Sequence, residues 1–135
     1  MNDKILEVIG ENFNTSRRIK GTSPRLVKDG NRVGLTYTNL RGEDASLDVT
    51  DLYPDDPTQL KKTQIPHVAQ AMRNRDMDYI AWLIMRQADA GATIIDLCID
   101  EICVDTEERQ EWMRWLVPVV QGITDLTLAI DSSDP

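Results

Sequence analysis

Two short apolar runs, Thr93-Ile94-Ile95-Asp96-Leu97-Cys98-Ile99 and Leu126-Thr127-Leu128-Ala129-Ile130, flank a stretch of helical spacing. Strands joined through a helix run parallel, because the crossover returns the chain to the edge where it began. Between the runs, Asp105 followed by Glu108 reads as a capping box. Trp112, Trp115, Leu116, Val119 and Ile123 then share one helical face, and Pro118 is expected to bend that helix. Upstream, Pro66 opens a short helix over His67 to Arg75. Asp76 caps a second helix with an apolar stripe of Met77, Ile80, Ala81, Ile84 and Ala88, and Gly91 stops it. An earlier apolar run, Lys4 to Gly10, is a third strand candidate ending at its glycine.

Residues 21–64 have a different texture. Lys28-Asp29-Gly30-Asn31-Arg32 carries the Asp-Gly pair that supplies the positive φ angles of a hairpin turn. β-leaning segments follow at Val33–Thr38 and Ala45–Val49, and Asp51 to Pro57 reads as loop. The order is therefore strand, β-hairpin excursion, helices, strand, helix, strand.

Side chains alternate across a strand, so each strand can be split into two faces. Ile95, Leu97 and Ile99 share one face, and Ile94, Asp96 and Cys98 share the other. Leu126, Leu128 and Ile130 oppose Thr127, Ala129 and Asp131 in the same way. One face is large and aliphatic, suited to helices; the other is smaller and carries carboxylates, suited to a barrel lumen or a polar cleft. Parallel strands gather Glu11, Cys98 and Asp131 at one end of the sheet, the end where α/β folds bind ligands. Three strands cannot close a barrel of eight, which takes roughly 250 residues. The expectation is thus the N-terminal part of a (β/α)8 barrel within a longer protein.

Charge narrows the partners. With 15 Lys+Arg against 23 Asp+Glu the net charge is −8, and no basic footprint suited to nucleic acid or an acidic membrane is present. The imbalance is local: residues 1–75 hold 12 basic and 10 acidic groups, residues 76–135 hold 3 and 13. No apolar run reaches the ~20 residues of a membrane span. Two cysteines, Cys98 and Cys103, are too few for a secreted disulfide framework. A cytoplasmic globular protein is expected.

Ile9-Gly10-Glu11-Asn12-Phe13-Asn14, Gly91-Ala92-Thr93-Ile94-Ile95-Asp96-Leu97-Cys98-Ile99-Asp100-Glu101 and Leu128-Ala129-Ile130-Asp131-Ser132-Ser133 together resemble the first three strand signatures of the pterin-binding barrel family. That family includes dihydropteroate synthase, methyltetrahydrofolate:corrinoid methyltransferases and the folate domain of cobalamin-dependent methionine synthase. The wording of Ile9-Gly10-Glu11 and Ile130-Asp131-Ser132-Ser133 is closer to the methyltransferase branch. Residues 1–135 then resemble a partial pterin-binding domain, with 21–64 an insertion outside the common pattern.

The resemblance implies methyl transfer from methyltetrahydrofolate to a corrinoid (cobalamin) carried by a partner protein or domain. It matches Asp131 to the family's pterin-binding carboxylate, Asp96 to its second-strand aspartate, and Glu11 and Asn14 to polar positions ending the first strand. Cys98 stands where relatives commonly have asparagine, a stronger hydrogen-bonding group than a thiol. No catalytic residue is assigned, because the family supplies the acid largely from later strands. Asp96 reads equally as a buried structural partner or a ligand contact. His67 reads as a helix-start residue, Trp112 and Trp115 as helix-to-sheet packing. Arg17-Arg18 with Lys20 reads as a solvated loop, or as a counterpart to a folate glutamate tail. Cys98, Cys103, Asp100, Asp105 and His67 match no standard zinc spacing, so no metal site is expected. The alternatives are a dihydropteroate synthase-like enzyme, or a non-enzymatic accessory module that self-associates into a homo-oligomer through its open sheet edge.

Overall fold

The computed structural model describes residues 8–131. The first strand, β1, is Ile9–Asn14. The sequence puts it earlier, ending at Gly10, and residues 4–7 lie outside the described segment. The extension has a physical reason: Gly10 pairs with Ile95 and Phe13 with Leu97, so Glu11 and Asn12 together oppose Asp96. This β-bulge absorbs the extra residue and lets a polar stretch that reads as loop stay in the strand.

Beyond β1 the chain makes β2 (Ile19–Lys20) and then an antiparallel meander of β3 (Leu26–Asp29), β4 (Arg32–Thr38) and β5 (Asp44–Asp48). The expected turn joins β3 to β4 with Gly30 at φ 60°, and a second turn at Gly42, φ 78°, makes the excursion a three-stranded sheet. Part of the segment read as loop winds into 3-10 turns, Thr50–Leu52 and Pro57–Lys62. The second begins at Pro57, and the Asp56 side chain accepts from Thr58 N. The excursion closes at β6 (Gln64–Ile65), which pairs antiparallel with β2 and clips its two ends together.

Helix α1 (His67–Arg73) follows, then α2 (Met77–Asp89), with the Asp76 carboxyl accepting from Tyr79 N. Gly91, at φ 101°, turns the chain into β7 (Ile94–Cys98). Asp105 caps α3 (Thr106–Ile123) by accepting from Glu107 N, and the helix runs on past Pro118. β8 (Thr127–Asp131) completes a parallel sheet of order β1-β7-β8.

The helix-facing side of that sheet carries Phe13, Ile95 and Leu97, all fully buried. Burying side chains of this size stabilises by about 1.5–3 kcal/mol each. Leu35, Leu47 and Val49 of the excursion share their core with Val68, Met72 and Tyr79 of α1 and α2. Tyr37 of β4 meets Tyr79 edge-on at 5.0 Å and Trp82 at 5.1 Å. The Gln70 side chain reaches back to Asp48 O and the Asp51 carboxylate. The excursion thus packs on the helices, while on the opposite face of the parallel sheet Ile9 is 54% exposed and Cys98 is buried.

Candidate functional site: the C-terminal end of the parallel sheet

Parallel pairing aligns residues of three strands in rows. Asn14 pairs with Cys98 and Cys98 with Asp131, making the last row of the sheet. Two residues back on β7, Asp96 pairs with Ala129 and faces the bulge that contains Glu11. Of the five residues singled out from the sequence, Asn14, Cys98 and Asp131 share the last row, whereas Asp96 and Glu11 lie at mid-strand, so Asn14 and not Glu11 stands level with Cys98 and Asp131. Asn14, Cys98 and Asp96 alternate against the helix-packed residues, on the face away from the helices. Glu11 sits in the bulge and is exposed, Asp96 is half-buried, and Cys98 is buried.

The loops above this row are tied to one another. Asn14 Oδ1 accepts from Ser16 N at 2.9 Å and from Ser16 Oγ at 2.7 Å, folding the chain sharply after β1. The carboxamide expected at a ligand therefore shapes the loop. Buried Thr15 donates its N–H to Cys98 O at 3.0 Å, and its Oγ1 accepts from Glu101 N at 3.1 Å. Arg18 pairs with Glu101 at 3.1 Å. The pairing of Thr15 and Arg18 with Glu101 escapes a sequence reading because the partners lie more than eighty positions apart. Gly10 has a close-packing role: a Cβ there would strike the Gln87 side-chain oxygen and lie 3.1 Å from Gln87 Cβ. The missing side chain lets α2 approach β1.

Other candidates go elsewhere. His67 Nδ1 lies 2.8 Å from the Tyr79 hydroxyl, and burial with Arg25 and Arg17 nearby pushes the imidazole down to about 4. It is neutral at physiological pH and shares one hydrogen bond with the phenol. Trp112 and Trp115 pack edge-on at 5.9 Å and against the core, and the Arg75 guanidinium lies 4.7 Å from the Trp112 ring centroid. Among the described residues no group of three or more His, Cys, Asp or Glu is placed to hold a metal, and no helix is long and apolar enough to cross a membrane.

This end of the sheet combines carboxylates with a thiol and loop hydroxyls. Ionised carboxylates only accept hydrogen bonds, so the set suits a ligand edge rich in N–H donors. No family model matches the chain. A methylcorrinoid:tetrahydrofolate methyltransferase from Eubacterium limosum is 37% identical over 71 residues, 53% of this chain. The chain spans about a quarter of that relative's length, 25%.

Proposed function

We propose that this chain is part of a methyltransferase that moves a methyl group between N5 of tetrahydrofolate and a corrinoid carried by a partner. In this reading β1, β7 and β8 are three strands of a pterin-binding barrel, and residues 21–64 are an insertion in its first loop. The observation that carries it is the row Asn14–Cys98–Asp131 with Asp96 behind it. A pterin edge offers ring N–H and exocyclic NH2 donors side by side, and one carboxylate accepts both. Asp131 is proposed for that contact, Asp96 for a second donor on the ring. Asn14 holds the loop at the rim, and Glu11 borders the cleft from the bulge. Cys98 shapes the floor of the row as a small, weakly hydrogen-bonding group.

The similarity to the Eubacterium limosum protein supports the same chemistry, since its name couples a methylcorrinoid with tetrahydrofolate. The sequence resemblance points to methyltetrahydrofolate as donor. The two directions make and break one N5–methyl bond, so the same residues serve both. Breaking that bond needs a proton or strong hydrogen bond at N5, because an amine anion is a poor leaving group. His67 is unsuited: it is neutral at working pH and committed to Tyr79. No general acid is assigned among the described residues.

The test is methyl exchange by the full-length gene product, with methylcobalamin and tetrahydrofolate or with reduced cobalamin and methyltetrahydrofolate. Growth or loss of the methylcobalamin absorbance in a folate-dependent manner is expected. No exchange in either direction by folded protein contradicts the proposal.

A further inference from the structure

Resting on the folate reading above, we propose that the rim beside the pterin site binds the oligo-γ-glutamyl tail of polyglutamylated folates through a cluster of Arg17, Lys20, Lys61 and Lys62. The β2–β6 clip assembles this cluster. Ile19 pairs with Ile65 and Lys20 with Gln64, and Gly21 N donates to Thr63 O at 2.8 Å. Lys61 and Lys62 end the 3-10 turn that leads into Thr63, so they fall beside Lys20 across the clip. A Cβ on Gly21 would sit 2.9 Å from Leu60 O, a measure of how closely the two segments approach. Arg17 N donates to Asn14 O at 2.9 Å, which hangs the cluster directly from the last row of the candidate site.

The cluster is available for a ligand. Arg17, Lys20, Lys61 and Lys62 are all exposed, and none forms an ion pair among the described residues. Arg18 beside them is already matched by Glu101. Asp56, at the start of the same 3-10 turn, has its carboxylate occupied by Thr58. Four cations without an ion-pair partner among the described residues, on a chain of net charge −8, make a local positive field at the rim beside the last row of the sheet. Each added γ-glutamyl residue brings one carboxylate, which matches a strip of separate ammonium and guanidinium groups better than it matches a single pocket.

The experiment titrates monoglutamyl and pentaglutamyl tetrahydrofolate into the full-length gene product by calorimetry, at low and high salt. Exposed ion pairs are weak singly, so four added carboxylates are expected to tighten binding about tenfold at low salt. Salt screening should bring that ratio close to one at about 0.5 M. The quadruple variant Arg17→Gln, Lys20→Gln, Lys61→Gln, Lys62→Gln should show a ratio near one at both salts. The salt series on the unaltered protein stands independently of how well the variant folds. Monoglutamyl binding with no gain from the longer tail overturns the tail site and leaves the folate reading standing. A tenfold preference retained by the folded variant overturns the placement. Failure of both ligands to bind overturns the folate reading and this inference together.

Discussion

His67→Asn tests how the excursion and helices are locked together. In the native protein the neutral imidazole hydrogen-bonds Tyr79 at 2.8 Å, and burial depresses its pKa from 6.5 to about 4. A group whose folded pKa is lowered in this way is a basic group that must lose its proton to fold. Its contribution is complete above the unfolded pKa and is lost as pH falls toward the folded one. Between about pH 7 and pH 5 the unfolded chain takes up most of a proton at this site, while the folded chain takes up about a tenth. At 1.36 kcal/mol per pK unit, the difference removes about 2 kcal/mol of stability. Asparagine keeps a hydrogen-bonding group near the Nδ1 position, able to donate or accept, without titrating. The variant should be about 1 kcal/mol less stable near pH 7, from lost packing and a poorer hydrogen bond. It should then become equal or superior near pH 5. Urea unfolding followed by tryptophan fluorescence across this range gives both profiles. Contributions from Glu43, Asp48 and Asp56, whose carboxyls lie below their usual values, cancel in the comparison. Parallel profiles for the two proteins would refute the reasoning.

Arg75 holds a left-handed backbone, φ 47°, while its guanidinium stacks on Trp112 and Trp115. Arg75→Ala loses the stacking and keeps the strain, whereas Arg75→Gly loses both, so the glycine variant should be more stable than the alanine variant by about 1 kcal/mol in chemical denaturation; equal stabilities would contradict this. Gly10→Ala places a methyl against Gln87 and 3.2 Å from Ala92 Cβ, and thermal or urea unfolding should show a loss of about 1–3 kcal/mol. Adding Gln87→Ala should give a smaller loss from the Gly10 substitution than in the native background, since the clashing oxygen is gone.

Local signals made much of this fold legible. Asp76, Gly91 and Asp105 mark helix ends by chemistry that acts within a few residues, and each takes its expected place at the boundary of α2 or α3. β7 and β8 are apolar runs whose alternation fixes which side meets the helices. Parallel geometry then brings Asn14, Cys98 and Asp131 into one row, which is why the candidate residues could be gathered from sequence. β1 was harder, because its bulge puts Glu11 and Asn12 against Asp96 and gives a strand the composition of a loop. β2 and β6 are two residues each, too short for any periodicity. The Asp-Gly turn marked the first hairpin of the excursion, but nothing local announced that it would pack on α1 and α2 through Tyr37, Tyr79 and Trp82. Thr15 with Glu101, and His67 with Tyr79, are tertiary contacts between segments that carry no sign of one another.

The central claim is that the carboxylates on the last rows of the parallel sheet receive the donors of a pterin edge. It is tested most directly by calorimetric titration of tetrahydrofolate into the full-length gene product and its Asp131→Asn and Asp96→Asn variants. Each substitution replaces an acceptor oxygen with a donor and removes the charge at nearly constant volume. Charge-assisted hydrogen bonds are worth about 1.5–3 kcal/mol each, so the Asp131 variant should bind at least tenfold more weakly, with its unfolding transition preserved. Asp96→Asn should also weaken binding, by a smaller factor. Unchanged tetrahydrofolate affinity in both folded variants would contradict the account.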